Sequence, residues 1–122
     1  MLYSIGYQKL SIERFITELS RRDINYLVDV RSKPVSRKVG FSRGPLVRIL
    51  ERENIIYRWK GDVLGGFSQI SEGEIISLAK WQEDKIACML CMEADYKQCH
   101  RYYEIAKRLE KYGVTVNHIK GE

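Results

Sequence analysis

The segment Cys91-Met92-Glu93-Ala94-Asp95-Tyr96-Lys97-Gln98-Cys99-His100-Arg101 gathers two thiols, two carboxylates, an imidazole and a guanidinium into eleven residues. Three kinds of chemistry draw on such groups. A thiol near a helix N-terminus and beside basic groups ionises readily and becomes a nucleophile, and Cys99, with Arg101 close behind it, has that setting. Glu93 and His100 are the candidates for general acid and base, because neither has an evident packing role. Cys91, Glu93, Cys99 and His100 are also metal-ligating types, but a strand running into a helix would have to turn four side chains inward, so no metal centre is expected. Against thiol chemistry, cysteine is among the most buried residue types, and Cys99 sits behind the Asp95 cap where a staple residue packs. The spacing matches neither the Cys-x5-Arg loop of thiol phosphatases nor the Cys-x-x-Cys of redox and zinc motifs.

A second candidate is Asp29-Val30-Arg31-Ser32-Lys33-Pro34-Val35-Ser36-Arg37-Lys38. A carboxylate that closes a buried strand beside a guanidinium is costly to desolvate unless paired, so Asp29 is expected to orient an arginine. Arg31 and Arg37, joined by Arg101, can clamp a phosphate, with the Ser32 and Ser36 hydroxyls, Lys38 and Arg43 as further donors. Residues 31–60 hold nine Lys or Arg against Glu51 and Glu53, an excess of seven positive charges in a chain whose total is +5. Such concentration is the footprint of an anionic partner, a phosphorylated small molecule or a nucleic acid; the bland alternative is a solvated basic face. Tyr57, Trp59 and Trp81 could stack on bases, but their spacing favours packing. No helix-turn-helix, zinc-finger or RNA-recognition signature is present, so contacts to nucleic acid would be mainly to phosphate.

The elements that must position these groups follow from periodicity. Short apolar runs at Leu2–Gly6, Tyr26–Val30, Ile55–Trp59, Ile86–Met92 and Val114–Ile119 alternate with four stretches of helical period, the mark of an α/β domain with a mostly parallel sheet. The first helix carries Ile12, Phe15, Ile16 and Leu19 on one face and opens at Ser11. A second is expected from Pro45, a third from the capping box Ser71-Glu72-Gly73-Glu74 to about Glu83, and the longest from a box at Asp95, ending at Gly113. In an open parallel sheet, ligands bind beyond the carboxyl ends of the strands, and both candidate segments leave from that edge.

A chain of 122 residues, 44% hydrophobic and 30% charged, is expected to form one domain over residues 1–122 and not a disordered chain. No apolar run approaches the roughly 20 residues that span a bilayer, and the N-terminus has neither the basic nor the apolar region of an export signal. Three cysteines within 12 residues suit reduced thiols and a cytoplasmic location better than a disulfide framework. No cofactor is implied.

These residues form an ordered set that resembles the domain of unknown function 488 family along essentially the whole chain. The set comprises Ser4-Ile5-Gly6-Tyr7, then Leu27-Val28-Asp29-Val30-Arg31-Ser32-x-Pro34-x-Ser36-Arg37, Phe41, Leu64-Gly65-Gly66, Leu90-Cys91-x-Glu93, Cys99-His100-Arg101 and His118-Ile119. The resemblance implies a three-layer Rossmann-like open sheet and a pocket lined by Tyr7, Phe41, Gly65, Gly66 and His118, without naming a reaction. Many members have His where this chain has Tyr7, and the loop after Gly66 is short here, which implies a smaller or more open pocket. The leading expectation is an enzyme, or enzyme-derived domain, with an anion site at the sheet edge. Its rivals are a non-catalytic nucleic-acid-binding module and thiol chemistry at Cys91 or Cys99.

Overall fold

Strands with apolar residues at every position must be covered on both faces, and the central strands here are of that kind. The computed structural model describes residues 1–67 and 69–120. Its five strands, β1 (Leu2–Gly6), β2 (Tyr26–Asp29), β3 (Ile56–Trp59), β4 (Ala87–Cys91) and β5 (Val116–Ile119), form one all-parallel sheet in the order β3-β2-β4-β1-β5. β4 is buried at all five positions, whereas the edge strand β3 alternates between exposed and half-buried residues. The order differs from the usual Rossmann 3-2-1-4-5 by an exchange of β1 and β4.

Crossovers between parallel strands are right-handed, so the direction of travel along the sheet decides which face a helix covers. From β1 the chain passes over β4 to β2 and on to β3, then reverses to β4 and β5. The helices of the outward leg, α1 (Ile12–Ser20) and α2 (Arg43–Arg52), place Phe15, Leu19, Leu46 and Leu50 against Ile5, Leu27, Cys88 and Leu90. Those of the return leg, α4 (Glu72–Trp81) and a composite helix over 101–112, place Ile75, Leu78, Ile105 and Leu109 against Leu2, Val28, Ala87 and Met89. The result is the parallel α/β sheet expected from the alternation of periods, in the three layers that the family resemblance implies.

Local differences from the sequence expectation have identifiable causes. The second helix starts at Arg43, not at Pro45, with Ser42 at its N-cap; the Ser42 hydroxyl is used instead to bond the Ser36 backbone. A single helical turn, α3 (Gly61–Leu64), occupies the segment after β3 that showed no period. Asp95 does not open the longest helix. Its carboxylate accepts from the Lys97 N–H and closes only a 3-10 turn (Tyr96–Gln98), after which Cys99 is extended, with φ −124° and ψ 146°. The helix restarts as a π-helical stretch (Arg101–Ala106), continues as α5 (Lys107–Leu109), tightens over Glu110–Tyr112 and ends at left-handed Gly113. Among the described residues no helix is long and apolar enough to cross a membrane.

Gly6 ends β1 where the turn after β4 crosses over it, and a Cβ there would overlap the Glu93 carbonyl. Because the obstacle is backbone, it cannot swing aside. Gly6→Ala is therefore expected to destabilise the protein by about 3 kcal/mol, measured as a shift of the urea midpoint at unchanged slope.

Candidate functional site

The reversal of direction gives the site its place. The loop after β2 turns toward the face of α1 and α2, and the loop after β4 toward the opposite face, which leaves a crevice between the carboxyl ends of these adjacent strands. Such a switch point is where open α/β sheets bind ligands. A cleft of about 340 Å³ opens there, lined by Tyr7, Arg31, Ser32, Lys33, Gly66, Cys91, Glu93 and His100, with Val35, Phe67 and Met92 at its lip. Phe67 is 89% exposed.

One wall is built on Asp29. Its carboxylate accepts from Arg31 Nε (2.9 Å) and Nη2 (2.8 Å) in a bidentate pair, from the Arg31 N–H and from the Tyr57 hydroxyl (2.5 Å). Arg31 Nη1 donates to the Phe41 carbonyl, and the guanidinium lies 5.3 Å from the centre of the Tyr7 ring. Burial opposes the Arg31 charge, but the bonds and charge of Asp29 outweigh it and raise its pKa. Burial, then the bond to Asp29, raises that of Tyr57. Arg31 is thus a brace of the wall, engaged by Asp29 and the Phe41 carbonyl. Trp59 Nε1 donates to the Arg31 carbonyl, and Gly61 packs so closely beneath it that a Cβ would overlap that oxygen.

The floor and opposite wall come from β4 and the chain break at Cys99. The extended Cys99 turns its sulfur and the following imidazole toward Cys91, so that Cys91 Sγ, Cys99 Sγ and a His100 ring nitrogen all lie within 4.8 Å of one another. His100 Nε2 is 2.9 Å from the Leu64 carbonyl and donates to it, which leaves Nδ1 as the lone-pair nitrogen, 3.6 Å from Cys99 Sγ and 3.8 Å from Cys91 Sγ. Glu93 Oε2 is 3.4 Å from Cys91 Sγ. The thiols share their protons: a hydrogen bond to Cys99, then burial, pushes Cys91 up, and the same bond, despite burial, holds Cys99 far down. Burial works against a charged His100, but its bond to Cys99 prevails and moves it up. Cys88 faces the other side of β4, fully buried, and burial raises its thiol pKa.

Arg101 lies beneath this cluster and is 0% exposed. Nη1 donates to the Glu93 carbonyl, Nε donates to Ser4 Oγ, and Nη2 has no partner. Among the described residues it forms no salt bridge, although a buried cation without a counter-charge is strongly disfavoured. Ser4 passes the bond on to His118 Nδ1 at 2.5 Å, and His118 stacks on Tyr96. Burial, then the Arg101 charge, holds the His118 imidazole down at about 4.

Tyr7, Arg31, Ser32, Gly66, Cys91, Glu93 and His100 are therefore brought together as expected of one rim. Others named from the sequence stand elsewhere. Cys99 and Arg101 are buried behind the floor, Phe41 stacks under Tyr7, Gly65 packs against Ser32, and His118 belongs to the far side of β1. Of the basic loop, Ser36 closes its own turn, Lys38 Nζ donates to the Gln8 carbonyl, Arg43 lies over Tyr57 and Trp59, and Arg37 is exposed. Lys33 and Ser4 stand in the quoted segments without an assigned role, and the sequence assigns none to Phe67 or the Leu64 carbonyl. Ser4, a polar residue inside an apolar strand, carried a signal; a backbone carbonyl carries none.

The chain is thus an open-sheet α/β protein with a cleft at its switch point that Cys91, Glu93 and His100 line. The family model described as Domain of unknown function DUF488 matches residues 11–74, just over half of the chain, and the chain belongs to that family. The match contains the Asp29–Arg37 segment and the Leu64-Gly65-Gly66 turn and stops before Cys91. No curated protein and no solved structure matches the chain.

Two outcomes follow from these networks. Asp29→Asn leaves the Arg31 guanidinium buried without its counter-charge and should cost about 3–5 kcal/mol, read by urea unfolding. His118 is held below its ordinary 6.5, so the folded protein binds fewer protons than the unfolded chain between that value and about 4. Its contribution to stability is complete above pH 6.5 and declines as the pH falls toward 4. His118→Gln should remove this part of the decline, seen as a flatter melting temperature against pH over that window.

Proposed function

We propose that this protein is an enzyme, or an enzyme-derived domain, that acts on a phosphorylated or nucleic-acid substrate held in the switch-point cleft. The observation that carries the reading is the convergence of Cys91, Glu93 and His100 on one floor, facing a wall formed by the start of the basic loop. Three reactive side chains packed within reach of each other are not needed to close a sheet edge, and their polar atoms would be cheaper to leave in water. Lys33 lines the cleft and Arg37 is exposed on the same loop, so these two supply the free positive charge that Arg31, engaged with Asp29, does not. The Ser32 hydroxyl, which accepts from the Phe67 N–H, has a proton left to donate to a phosphate oxygen. Glu93 is half-buried at the cleft and is the group placed to move a proton, while the exposed ring of Phe67 offers a face for a base.

Binding of inorganic phosphate, a nucleoside monophosphate and a single-stranded oligonucleotide, measured by calorimetry and anisotropy, tests the reading. At least one should bind, and Lys33→Ala with Arg37→Ala should weaken it by about tenfold, roughly 1.4 kcal/mol. Unchanged affinity in that double variant would sink the proposal. If only the oligonucleotide binds, with steep salt dependence and no response to Glu93→Gln, the protein is a non-catalytic binding module instead.

A further inference from the structure

The donor atoms at the cleft floor have the spacing of a coordination shell. Around a tetrahedral zinc ion with Zn–S near 2.3 Å and Zn–N or Zn–O near 2.0 Å, ligand atoms are separated by about 3.8 Å for S···S and about 3.5 Å for S···N and S···O. Here His100 Nδ1 is 3.6 Å from Cys99 Sγ and 3.8 Å from Cys91 Sγ, and Glu93 Oε2 is 3.4 Å from Cys91 Sγ. All three donor atoms lie within 4.8 Å of one another, close enough to share one ion.

Three independent features support a metal there. The first is the imidazole: its Nε2–H is fixed by the Leu64 carbonyl, the outer-shell bond that orients a ligating histidine and leaves Nδ1 unprotonated toward the ion. The second is charge. Two thiolates and a divalent cation, with the Glu93 carboxylate 3.4 Å from Cys91 Sγ, leave one net negative charge, and the fully buried Arg101, with Nη2 unpartnered and no carboxylate partner among the described residues, lies below the same cluster. The third is the chain path. The helix that Asp95 could have opened is interrupted at Cys99, and the π-helical stretch follows directly, a local distortion that turns both Cys99 and His100 to Cys91.

We propose that Cys91, Cys99 and His100 bind a zinc ion at the floor of the cleft, with the fourth corner open and the Glu93 carboxylate beside the Cys91 sulfur. Two sulfurs and one imidazole nitrogen are a borderline-soft set that suits zinc better than calcium or magnesium. Three firm protein ligands and one exchangeable corner are the arrangement of catalytic rather than structural zinc. In the enzyme proposed above, the ion would supply Lewis-acid chemistry at a corner open to substrate or water, and Glu93 beside it would move the proton. The metal site stands on its own geometry and does not depend on the substrate being a phosphate.

The test uses the full chain, purified under reducing conditions, stripped with a chelator and titrated with zinc against a chromophoric competitor. One equivalent should bind, and cobalt in its place should give thiolate-to-metal charge-transfer absorption together with the intense visible bands of a tetrahedral site. Cys91→Ser and Cys99→Ser should each weaken zinc by more than the roughly 10–100-fold typical of losing an outer-shell partner. Cys88→Ser should not change it. Glu93→Gln should keep one equivalent, the charge-transfer band and the tetrahedral visible bands, because Glu93 lies outside the three-ligand set. Because a ligand variant can fail to fold, alkylation of the unaltered protein provides a second reading: zinc should slow modification of Cys91 and Cys99 together. Absence of the cobalt charge-transfer band, equal alkylation rates with and without zinc, or zinc binding that survives the double Cys91→Ser and Cys99→Ser change would each overturn the assignment. Zinc bound without any phosphate-bearing ligand would refute the substrate class and leave the metal; the reverse result would refute the metal alone.

Discussion

The bidentate pair between Asp29 and Arg31 holds the carboxyl edge of the sheet in place. It sits at the end of a central strand with both partners almost entirely out of water, so its attraction is little screened and its loss would strand a charge. Around it the other contacts fall into order. Arg31 reaches the Phe41 carbonyl and so anchors the far end of the loop, Phe41 supports Tyr7, and Tyr57 and Trp59 tie β3 to the same two residues. Gly61 then lets the first turn of α3 pass beneath the Arg31 carbonyl, which carries the Leu64 carbonyl and the following glycines to the cleft. One ion pair thereby sets a wall of the cleft and the atom that orients His100.

Arg101 does the corresponding task on the other wall by a different route. It has no carboxylate partner and spends its donors on the Ser4 hydroxyl and the Glu93 carbonyl, which lock the turn after β4 onto β1. Gly6 is needed at the same crossing because the turn lies directly against it. A buried guanidinium with a vacant donor produces a positive field under Cys99, which favours its ionised form. Thiolate nucleophile and metal ligand both require that state, and the proposed zinc would draw on an imidazole nitrogen within 4.8 Å of both sulfurs.

Several elements were legible in the sequence because the information is local. The period of Ile12, Phe15 and Leu19 and the Ser11 cap define α1 whatever surrounds them, and Ser71 caps α4 as its box implies. The run Ala87–Cys91, apolar throughout, could only be a strand covered on both faces. The residues at strand ends were legible too, since a parallel sheet puts every strand's carboxyl end on one edge. The Asp95 box misled for a physical reason: an Asx turn and a helix cap use the same carboxylate and a similar N–H, and the choice depends on whether the next residues gain more from continuing the helix. Here the following residues are Cys99 and Arg101, and burial of both is satisfied by breaking it.

By itself the sequence determined the fold class, and it named the sheet edge and the residues on which the proposed chemistry rests. Each of these follows from periodicity, from connections between parallel strands, or from residue type. Tertiary structure decided which arginines are braces and which charges remain free, because that depends on Asp29 and the Glu93 carbonyl being there to receive them. It also decided that the cysteines and His100 share a centre, since their lone pairs converge only once β4, the extended Cys99 and the Leu64 carbonyl are set in place together. Spacing along a chain records neither the direction of a side chain nor the position of a backbone oxygen, and those two quantities make the site.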